Sequence, residues 1–251
     1  MRIAVLQARG PDRDLARIAA ATTTASGRGA DVLVVPELLV TGYDPGAFAR
    51  ADVSGDPSVL PGLQEIAARH RVALVASEPH REPGAERPAI TAVVVDAGGT
   101  LLGRYRKTHL WGPAERAAFS PGDGTPLVVD VGELRCGIAV CYDVEFAEVA
   151  RGLALAGAEV VLVPTALDDP AVARVLVPAR AMENRVGLAY ANHVGPGSCG
   201  GSVIVGPDGT VLARAGAVAD TVLVADVTRD DLTRARARGD YLADRRPETY
   251  R

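Results

Sequence analysis

Short apolar runs alternate with helix-forming segments along almost the whole chain, and this alternation limits the folds that the chain can adopt. Continuous apolar runs are typical of strands buried on both faces, as in parallel sheets covered by helices. We therefore predict an α/β fold. The predicted strands cover residues 2–7, 31–36, 72–76, 126–131, 134–140, 159–163, 188–193 and 221–227. The predicted helices cover about 12–27, 58–70 and 171–187, with a polar, arginine-rich helix near the end.

Two predicted hairpins, at about 89–105 and 202–214, resemble each other in sequence. When residues 94–104 are aligned with 204–214, Gly99 matches Gly209 at the turn. Convergent turn chemistry is one explanation, because glycine supplies the positive φ that tight hairpins need. The other is that the chain consists of two related halves, each a sheet covered by helices. No segment has the composition of a linker, so we expect a single domain over residues 1–251.

Charge and cysteine content argue against several classes of protein. A formal net charge of −4 gives no electrostatic footprint for nucleic acid. No apolar run is long enough to span a membrane, and the chain starts directly with a predicted strand rather than a secretory signal. The three cysteines form no CxxC pair and the four histidines have no zinc spacing, so we expect neither disulfides nor a metal site. These features predict a cytoplasmic protein.

Two polar residues that follow apolar runs are candidates for chemistry. Glu37 directly follows the run 31–36, and burial of its carboxylate would raise the pKa and make it a better base. Cys141 follows the run 134–140, at a turn where we predict a helix with Asp143 as its N-cap. Backbone N–H groups and the helix dipole at such a turn lower the pKa of a thiol, which favours the thiolate.

Lys107 lies near the start of a long segment, 106–125, which is rich in proline, glycine and charge and contains the only tryptophan, Trp111. Long loops inside compact domains are commonly functional, and an ammonium beside aromatic groups suits a pocket. Each candidate also has a structural explanation. Cys141 could be a small core hydrophobe, Glu37 a helix cap or the partner of a surface arginine, and Lys107 a solvated charge. Together they supply the nucleophile, base and cation that acyl transfer through a thioester requires.

An ordered set of motifs resembles a known family. The segments are Pro36-Glu37 followed by Gly42-Tyr43, Tyr105-Arg-Lys107-Thr-His-Leu, Phe119-Ser-Pro-Gly, Cys141-Tyr-Asp, Val163-Pro-Thr-Ala166, Ala179-Arg-Ala-Met-Glu-Asn184 and Gly200-Gly-Ser202. In this order, and over nearly the whole chain, they resemble the nitrilase superfamily of carbon–nitrogen hydrolases. Tyr142-Asp143 after the cysteine is similar to the amidase-type branches, whereas true nitrilases usually have Trp-Glu there.

That resemblance implies a four-layer α-β-β-α sandwich with two pseudo-related halves. It also implies a homodimer or higher homo-oligomer assembled through the helices that flank the nucleophile, and we expect the C-terminal tail from about residue 229 at that interface. Glu37, Lys107 and Cys141 would be catalytic, and Glu115, eight positions after the lysine, would position Lys107 or the substrate. The substrate-binding residues would be Tyr43, Trp111, Tyr142 and Ala166. No metal or organic cofactor is implied.

The sequence therefore predicts an amidase that hydrolyses a small non-peptide carboxamide to a carboxylic acid and ammonia. Hydrolysis of an N-carbamoyl amine or a nitrile is an alternative. An additional carboxylate on the substrate would need a basic residue near 164–174, where Arg174 is the candidate among acidic neighbours. A cysteine–histidine hydrolase that uses His109 or His193 is a further alternative, and a catalytically silent binding homologue is the last.

Overall fold

Two mixed sheets of six strands each form the centre of the molecule. The computed structural model describes residues 1–13, 15–44, 58–239 and 241–250. The first part of the chain contains β1 (Arg2–Gln7), α1 (Ala16–Gly27), β2 (Val32–Val34), α2 (Leu60–His70), β3 (Ala73–His80), β4 (Ala89–Val95), β5 (Leu101–Arg106) and α3 (Gly112–Ala118). The second part contains β6 (Val128–Val131), β7 (Leu134–Ile138), α4 (Ala147–Leu155), β8 (Val160–Pro164), α5 (Val177–Asn184), β9 (Gly187–Ala191), β10 (Val194–Gly195), β11 (Ser198–Cys199), β12 (Val203–Val205), β13 (Val211–Arg214), β14 (Thr221–Asp226) and α6 (Arg229–Ala237).

The two sheets have the same pattern of strand pairing. The first sheet has the order β14-β1-β2-β3-β4-β5, and the second has the order β6-β7-β8-β9-β12-β13. In both, successive pairs are antiparallel, parallel, parallel, antiparallel and antiparallel. The hairpins β4–β5 and β12–β13 occupy the same place in the two sheets. This topology supports two related halves over convergent turn chemistry.

The turns of these hairpins share their backbone geometry as well. Gly99 has a φ of 88° and Gly209 a φ of 85°. Each hairpin also has a register shift beside the turn, between Val94 and Val95 in the first and between Ile204 and Val205 in the second. Glycine tolerates this left-handed conformation without the steric cost that a Cβ brings.

Apolar side chains form three buried clusters that separate four layers. The central cluster lies between the inner faces of the sheets and includes Ile3, Val34, Ile138 and Leu162. A second cluster packs the outer face of the first sheet against α1 and α2. A third packs the outer face of the second sheet against α4 and α5. The predicted α-β-β-α sandwich is therefore confirmed.

Several predicted bounds shift by a few residues, and three local differences bear on the site. The segment 106–125 is not only loop, because it contains α3. Trp111 occupies the position before this helix, and a proline occupies the first turn, where its missing N–H costs nothing. The helix expected at Cys141 begins at Ala147, after a 3₁₀ turn over Cys141–Glu145. The helix expected over 171–187 begins as a π-helical turn, Val172–Leu176, and ends at Asn184.

The tail from residue 229 packs against its own chain through α6. Thr228 caps this helix by accepting a hydrogen bond from the N–H of Asp231. Leu232 and Ala235 are buried. Beyond the helix, the Arg185 guanidinium lies 4.6 Å from the ring centroid of Tyr241. Within the described ranges, no helix has both the length and the apolar character needed to cross a membrane.

Candidate active site

Glu37 lies just beyond the carboxyl end of β2, where three groups fix its backbone. Its N–H donates to the carbonyl of Thr165 at 3.1 Å, which joins the first sheet to the second. Its carbonyl accepts a 2.6 Å hydrogen bond from Nε2 of His193. The next residue, Leu38, has a φ of 49° and donates its N–H to Oγ of Ser77. This strained turn directs the following chain away from the sheet.

Lys107 directly follows β5 and brings two buried carboxylates together. Its Nζ lies 2.8 Å from Oε1 of Glu37 and 2.9 Å from Oε1 of Glu115. All three side chains are fully buried. Glu115 comes from the first turn of α3, the helix that the sequence prediction did not contain. It accepts two further hydrogen bonds, from the Tyr43 hydroxyl at 2.5 Å and from the N–H of Trp111 at 2.7 Å.

The two carboxylates therefore differ in their free lone pairs. Both oxygens of Glu115 accept hydrogen bonds. Oε1 of Glu37 binds the lysine, but its Oε2 is buried and accepts no hydrogen bond from a nitrogen or oxygen donor among the described residues; the Cys141 thiol is the remaining donor beside this carboxylate. An unpaired oxygen in a buried site has a strong tendency to accept a proton.

Cys141 lies at the start of a tight turn in an uncommon backbone conformation. Its φ is 50°, which is rare for a residue with a Cβ and marks local strain. The side chain is buried, and Sγ lies 3.5 Å from the carbonyl oxygen of Ala166, just beyond β8. The thiol is thus directed towards the edge where strands of the second sheet end.

Asp143 stabilises this turn and was wrongly predicted to be the N-cap of the following helix. Its carboxylate points back and accepts hydrogen bonds from the N–H of Val140, the hydroxyl of Tyr105, and both the N–H and Nδ1 of His109. The cap assignment is wrong because Tyr105 in β5 and His109 in the loop after it, which are distant in sequence, bind this carboxylate. Asp143 therefore joins the Cys141 turn to the segment that carries Lys107.

Burial controls the protonation of the cluster. Desolvation raises the pKa of Glu37 to about 7, although the ammonium of Lys107 opposes this. Burial and the neighbouring Glu37 raise the pKa of the Cys141 thiol well above its ordinary value. The lowered thiol pKa expected from the turn is therefore wrong, because desolvation outweighs the backbone dipoles. For Lys107, the carboxylates of Glu37 and Glu115 outweigh desolvation and raise the pKa.

Two of the four predicted substrate-binding residues, Tyr43 and Tyr142, line different cavities among the described residues. Tyr43 lines a cavity of about 360 Å³ together with Arg9, His193 and Ser198. Tyr142 lines another, of about 470 Å³, with aromatic walls that include Phe119 and Phe146.

The other two predicted substrate-binding residues differ in exposure. The carbonyl of Ala166 contacts the Cys141 thiol, and its side chain is buried. Trp111 binds Glu115 through its N–H, but its side chain is 43% exposed. Arg174, the candidate for recognising an anionic substrate, is exposed.

The two histidines of the cysteine–histidine alternative have other partners. His109 binds Asp143 through Nδ1 at 2.9 Å and stacks on Phe146, with ring centroids 3.8 Å apart. His193 donates to the Glu37 carbonyl, and burial lowers its pKa. Among the described residues, no group of three or more His, Cys, Asp or Glu side chains could hold a metal ion.

Sequence reasoning missed several residues that shape the site. Ser77, Thr165 and Asn192 are buried and form hydrogen bonds next to the candidate residues. Thr165 and Asn192 could have been found from the rule that identified Glu37, because each is a polar residue directly after an apolar strand. Ser77 carries no comparable signal, since a single hydroxyl residue within a strand is common.

The carbon–nitrogen hydrolase family matches residues 2–237 of this chain. The chain belongs to this family. A carbon–nitrogen hydrolase of known structure, an amidase from Nesterenkonia sp., is 43% identical, with a TM-score of 0.88 over 99% of this chain and 94% of that one. An (R)-stereoselective amidase from Pseudomonas sp. is 39% identical over 98% of this chain and 92% of its own length. An N-carbamoylputrescine amidase from Solanum lycopersicum is 32% identical over 89% of this chain and 84% of its own length.

Structures of variants of the Nesterenkonia amidase show ligands at its active site. In a glutamate-to-glutamine variant, acrylamide has added to the active-site cysteine. A cysteine-to-alanine variant binds butyramide. The replaced glutamate and the replaced cysteine are separated by the same number of residues as Glu37 and Cys141 in this chain.

Proposed function

We propose that this carbon–nitrogen hydrolase is an amidase that converts a small non-peptide carboxamide to a carboxylic acid and ammonia through a thioester on Cys141. The buried cluster of Glu37, Lys107 and Glu115 is the observation that carries the proposal. A lysine held between two carboxylates has its ammonium fixed in place. Beside a thiol, this arrangement supplies a proton acceptor and a cation in a site of low polarity.

Acylation starts with a neutral thiol, because burial raises the pKa of Cys141. Oε2 of Glu37 accepts the thiol proton while Sγ attacks the amide carbon, and a tetrahedral oxyanion forms. The ammonium of Lys107 and the N–H of Tyr142 stabilise this oxyanion. Glu37 then donates the proton to the leaving nitrogen, the C–N bond breaks, and ammonia departs.

Deacylation uses the same groups with water as the nucleophile. Glu37 takes a proton from water, which attacks the thioester carbon and forms a second oxyanion. The C–S bond breaks, and the thiolate recovers a proton from Glu37. The carboxylic acid leaves, and no cofactor enters the cycle. Glu115 keeps Lys107 in position through both steps by its 2.9 Å contact with Nζ.

A small, uncharged acyl group fits the surroundings best. The relative from Nesterenkonia has acrylamide, the acetamide group of fluoroacetamide, or butyramide at its site. In this chain the residues proposed to bind substrate, Tyr43, Trp111, Tyr142 and Ala166, carry no formal charge. Exposure of Arg174 argues against recognition of a carboxylate there.

We further propose that the chain acts as one catalytic domain and assembles as a homodimer or larger homo-oligomer in the cytoplasm. Glu37 follows a strand of one sheet and Cys141 a strand of the other, so neither half has a complete site. The helices outside the second sheet carry the exposed apolar residues Leu155 and Met182, which suit an interface that the tail from residue 229 would extend. A reducing compartment suits three free thiols.

Ammonia release from a panel of substrates tests the function. The panel contains small amides such as acrylamide and butyramide, N-carbamoyl amines and nitriles. We expect turnover of the amides, and a loss of at least about 10⁴-fold in Cys141→Ala. Cys136→Ala is the matched control, because Cys136 is a buried core residue of β7 outside the site. Turnover of carbamoyl compounds or nitriles alone, or an active Cys141→Ala, would contradict the proposal.

A further inference from the structure

Directly after β9, two buried polar residues form hydrogen bonds to two segments beside the proposed catalytic residues. Asn192 is fully buried and His193 is 5% exposed. Neither takes part in the chemistry described above. A buried polar side chain is costly unless it is hydrogen-bonded, so its partners indicate what it stabilises.

The side chain of Asn192 forms hydrogen bonds with both the N–H and the carbonyl of Leu167. Its Oδ1 accepts a 2.9 Å hydrogen bond from the N–H of Leu167, and its Nδ2 donates to the Leu167 carbonyl at 3.0 Å. Nδ2 also donates to the carbonyl of Gly200 at 2.9 Å. The side-chain amide thus replaces a neighbouring strand at the point where the backbone has left β8. Leu167 directly follows Ala166, whose carbonyl is the contact of the Cys141 thiol.

His193 fixes the backbone of Glu37, the proposed base. Its Nε2 donates to the carbonyl of Glu37 at 2.6 Å, while the N–H of Glu37 donates to Thr165. The peptide of the proposed base is therefore held between His193 and the segment 165–167. Asn192 holds that same segment. Two adjacent side chains accordingly determine where both the carboxylate and the contact of the thiol lie.

We propose that Asn192 and His193 are positioning residues that together set the geometry between the Glu37 carboxylate and the Cys141 thiol; this rests on the proposed function. Proton transfer and nucleophilic attack depend steeply on geometry, and a shift of about 1 Å can cost about 10²-fold in rate. Loss of either residue should therefore lower kcat more than it raises KM, since neither is among the residues proposed to bind the substrate.

Two pairs of variants separate positioning from simple stabilisation. In the first, Asn192→Ala is compared with Asn184→Ala. Asn184 is also a fully buried amide, and it donates to the carbonyl of Arg180 within α5. Both substitutions should lower the melting temperature, but Asn192→Ala should reduce kcat by about 10–100-fold. Asn184→Ala should keep the kcat of the wild type.

The second pair is His193→Gln and His193→Leu. The amide nitrogen of glutamine can occupy the place of Nε2 and donate to the Glu37 carbonyl, whereas leucine cannot. We expect His193→Gln to retain most of the wild-type kcat and His193→Leu to lose it. If Asn192→Ala does not fold, this pair decides alone. Equal kcat values for the two His193 variants would overturn the proposal, as would an Asn192→Ala kcat equal to that of Asn184→Ala.

The rate of Cys141 alkylation by iodoacetamide distinguishes a failure of the positioning proposal from a failure of the proposed amidase function. If Glu37 takes the proton of the neutral thiol, as proposed, the alkylation rate reports the geometry between these two groups without amide turnover. If the wild type hydrolyses no amide in the panel, the proposed function fails. In that case, slower alkylation in His193→Leu but not in His193→Gln would still support positioning. Equal alkylation rates would overturn it.

Discussion

Glu37 and Glu115 bind the same lysine, but their other contacts give them different properties. Glu115 accepts three hydrogen bonds, which occupy both of its oxygens. Glu37 accepts one from Lys107, its Oε2 is buried without a further nitrogen or oxygen donor among the described residues, and the Cys141 thiol is the other donor beside this carboxylate. A proton acceptor needs a free lone pair. A carboxylate that holds an ammonium in place is better suited to this role when other hydrogen bonds fix its own position. The geometry therefore favours Glu37 as the base and Glu115 as the support of Lys107.

This difference predicts how activity depends on pH. Below about 7, Glu37 is protonated, because burial raises its pKa to about 7, and it cannot accept the thiol proton. Lys107 remains charged and Cys141 remains a thiol as the pH rises, because both of their pKa values are raised. We expect kcat/KM for a small amide to fall about tenfold per pH unit below pH about 7 and to be level at pH about 8–9.

The control for this profile is a return to neutral pH. Activity recovered after incubation at low pH excludes unfolding as the cause of the loss. Any residual activity of Glu37→Gln should lack the acidic decline, since the titrating carboxylate is absent. A wild-type profile that declines only below pH about 5, the range of an ordinary glutamate, would contradict the assignment of Glu37 as the base.

Residue identity in the site was predictable, but protonation was not. Glu37 and Cys141 were identified because each follows an apolar run, a pattern visible in the sequence. The sign of the pKa shift at Cys141 depends on how completely the surrounding residues exclude water, and those residues come from other elements. Asp143 was misassigned for the same reason, since its partners Tyr105 and His109 are distant in sequence.

At the scale of elements, the hairpin turns pack against the helices of the outer layers in equivalent ways. A Cβ on Gly99 would lie 2.8 Å from the carbonyl oxygen of Gln64 in α2. A Cβ on Gly209 would lie 3.2 Å from Cβ of Met182 and 3.3 Å from the carbonyl oxygen of Pro178, both in α5. Each turn therefore needs glycine for two reasons, its positive φ and its close approach to a helix.

These contacts predict a ranking of stability among glycine-to-alanine variants. Gly84, with a φ of +82° and no described residue within 4 Å of an added Cβ, isolates the cost of the backbone conformation, about 1 kcal/mol. Gly99→Ala adds a clash with a helix carbonyl and should cost about 2–4 kcal/mol. Gly209→Ala should be intermediate. Denaturant unfolding of the three variants measures the order, and equal losses would show that close packing contributes nothing.

The third helix, α3, is an element that the local sequence does not predict. The segment 106–125 is rich in proline and glycine, which favoured a loop. Gly112 and Pro113 instead occupy the start of α3, where proline is well tolerated. Glu115 stabilises that start by accepting the N–H of Trp111, and its remaining contacts are with Lys107 and Tyr43. The helix thus depends on the completed site, which local sequence does not encode.

At the scale of the whole molecule, the repeated topology brings the ends of both sheets to one place. Ala8, just beyond β1, forms an isolated bridge with His193, just beyond β9, and Glu37 bonds to Thr165 across the same junction. The alternation of strands and helices predicted an α/β fold, whose parallel strands place their carboxyl ends at one edge. The arrangement of two sheets in a sandwich was implied by the resemblance to the nitrilase superfamily. The distances across the junction were not predictable, since they depend on how the two sheets pack.

The outer helices of the second sheet lead to the prediction on assembly. Val175 is 62% exposed and Leu155 is 52% exposed, both in elements that cover this sheet. Exposed apolar residues on adjacent helices are typical of subunit interfaces. In sedimentation velocity, we expect the wild type to have at least twice the chain mass of 26.0 kDa. Val175→Asp should shift it towards the monomer, because an interface would have to bury an unpaired carboxylate.

Val218→Asp is the matched control for this experiment. Val218 is 81% exposed and lies between β13 and β14, outside the helices that cover the second sheet. Val218→Asp should therefore leave the assembly unchanged. A wild type that sediments as a monomer at all concentrations would contradict the proposal, and an equal response of the two variants would place the interface elsewhere. Because Glu37, Lys107, Glu115 and Cys141 all belong to one chain, a monomeric Val175→Asp should retain a complete catalytic cluster and measurable amide turnover.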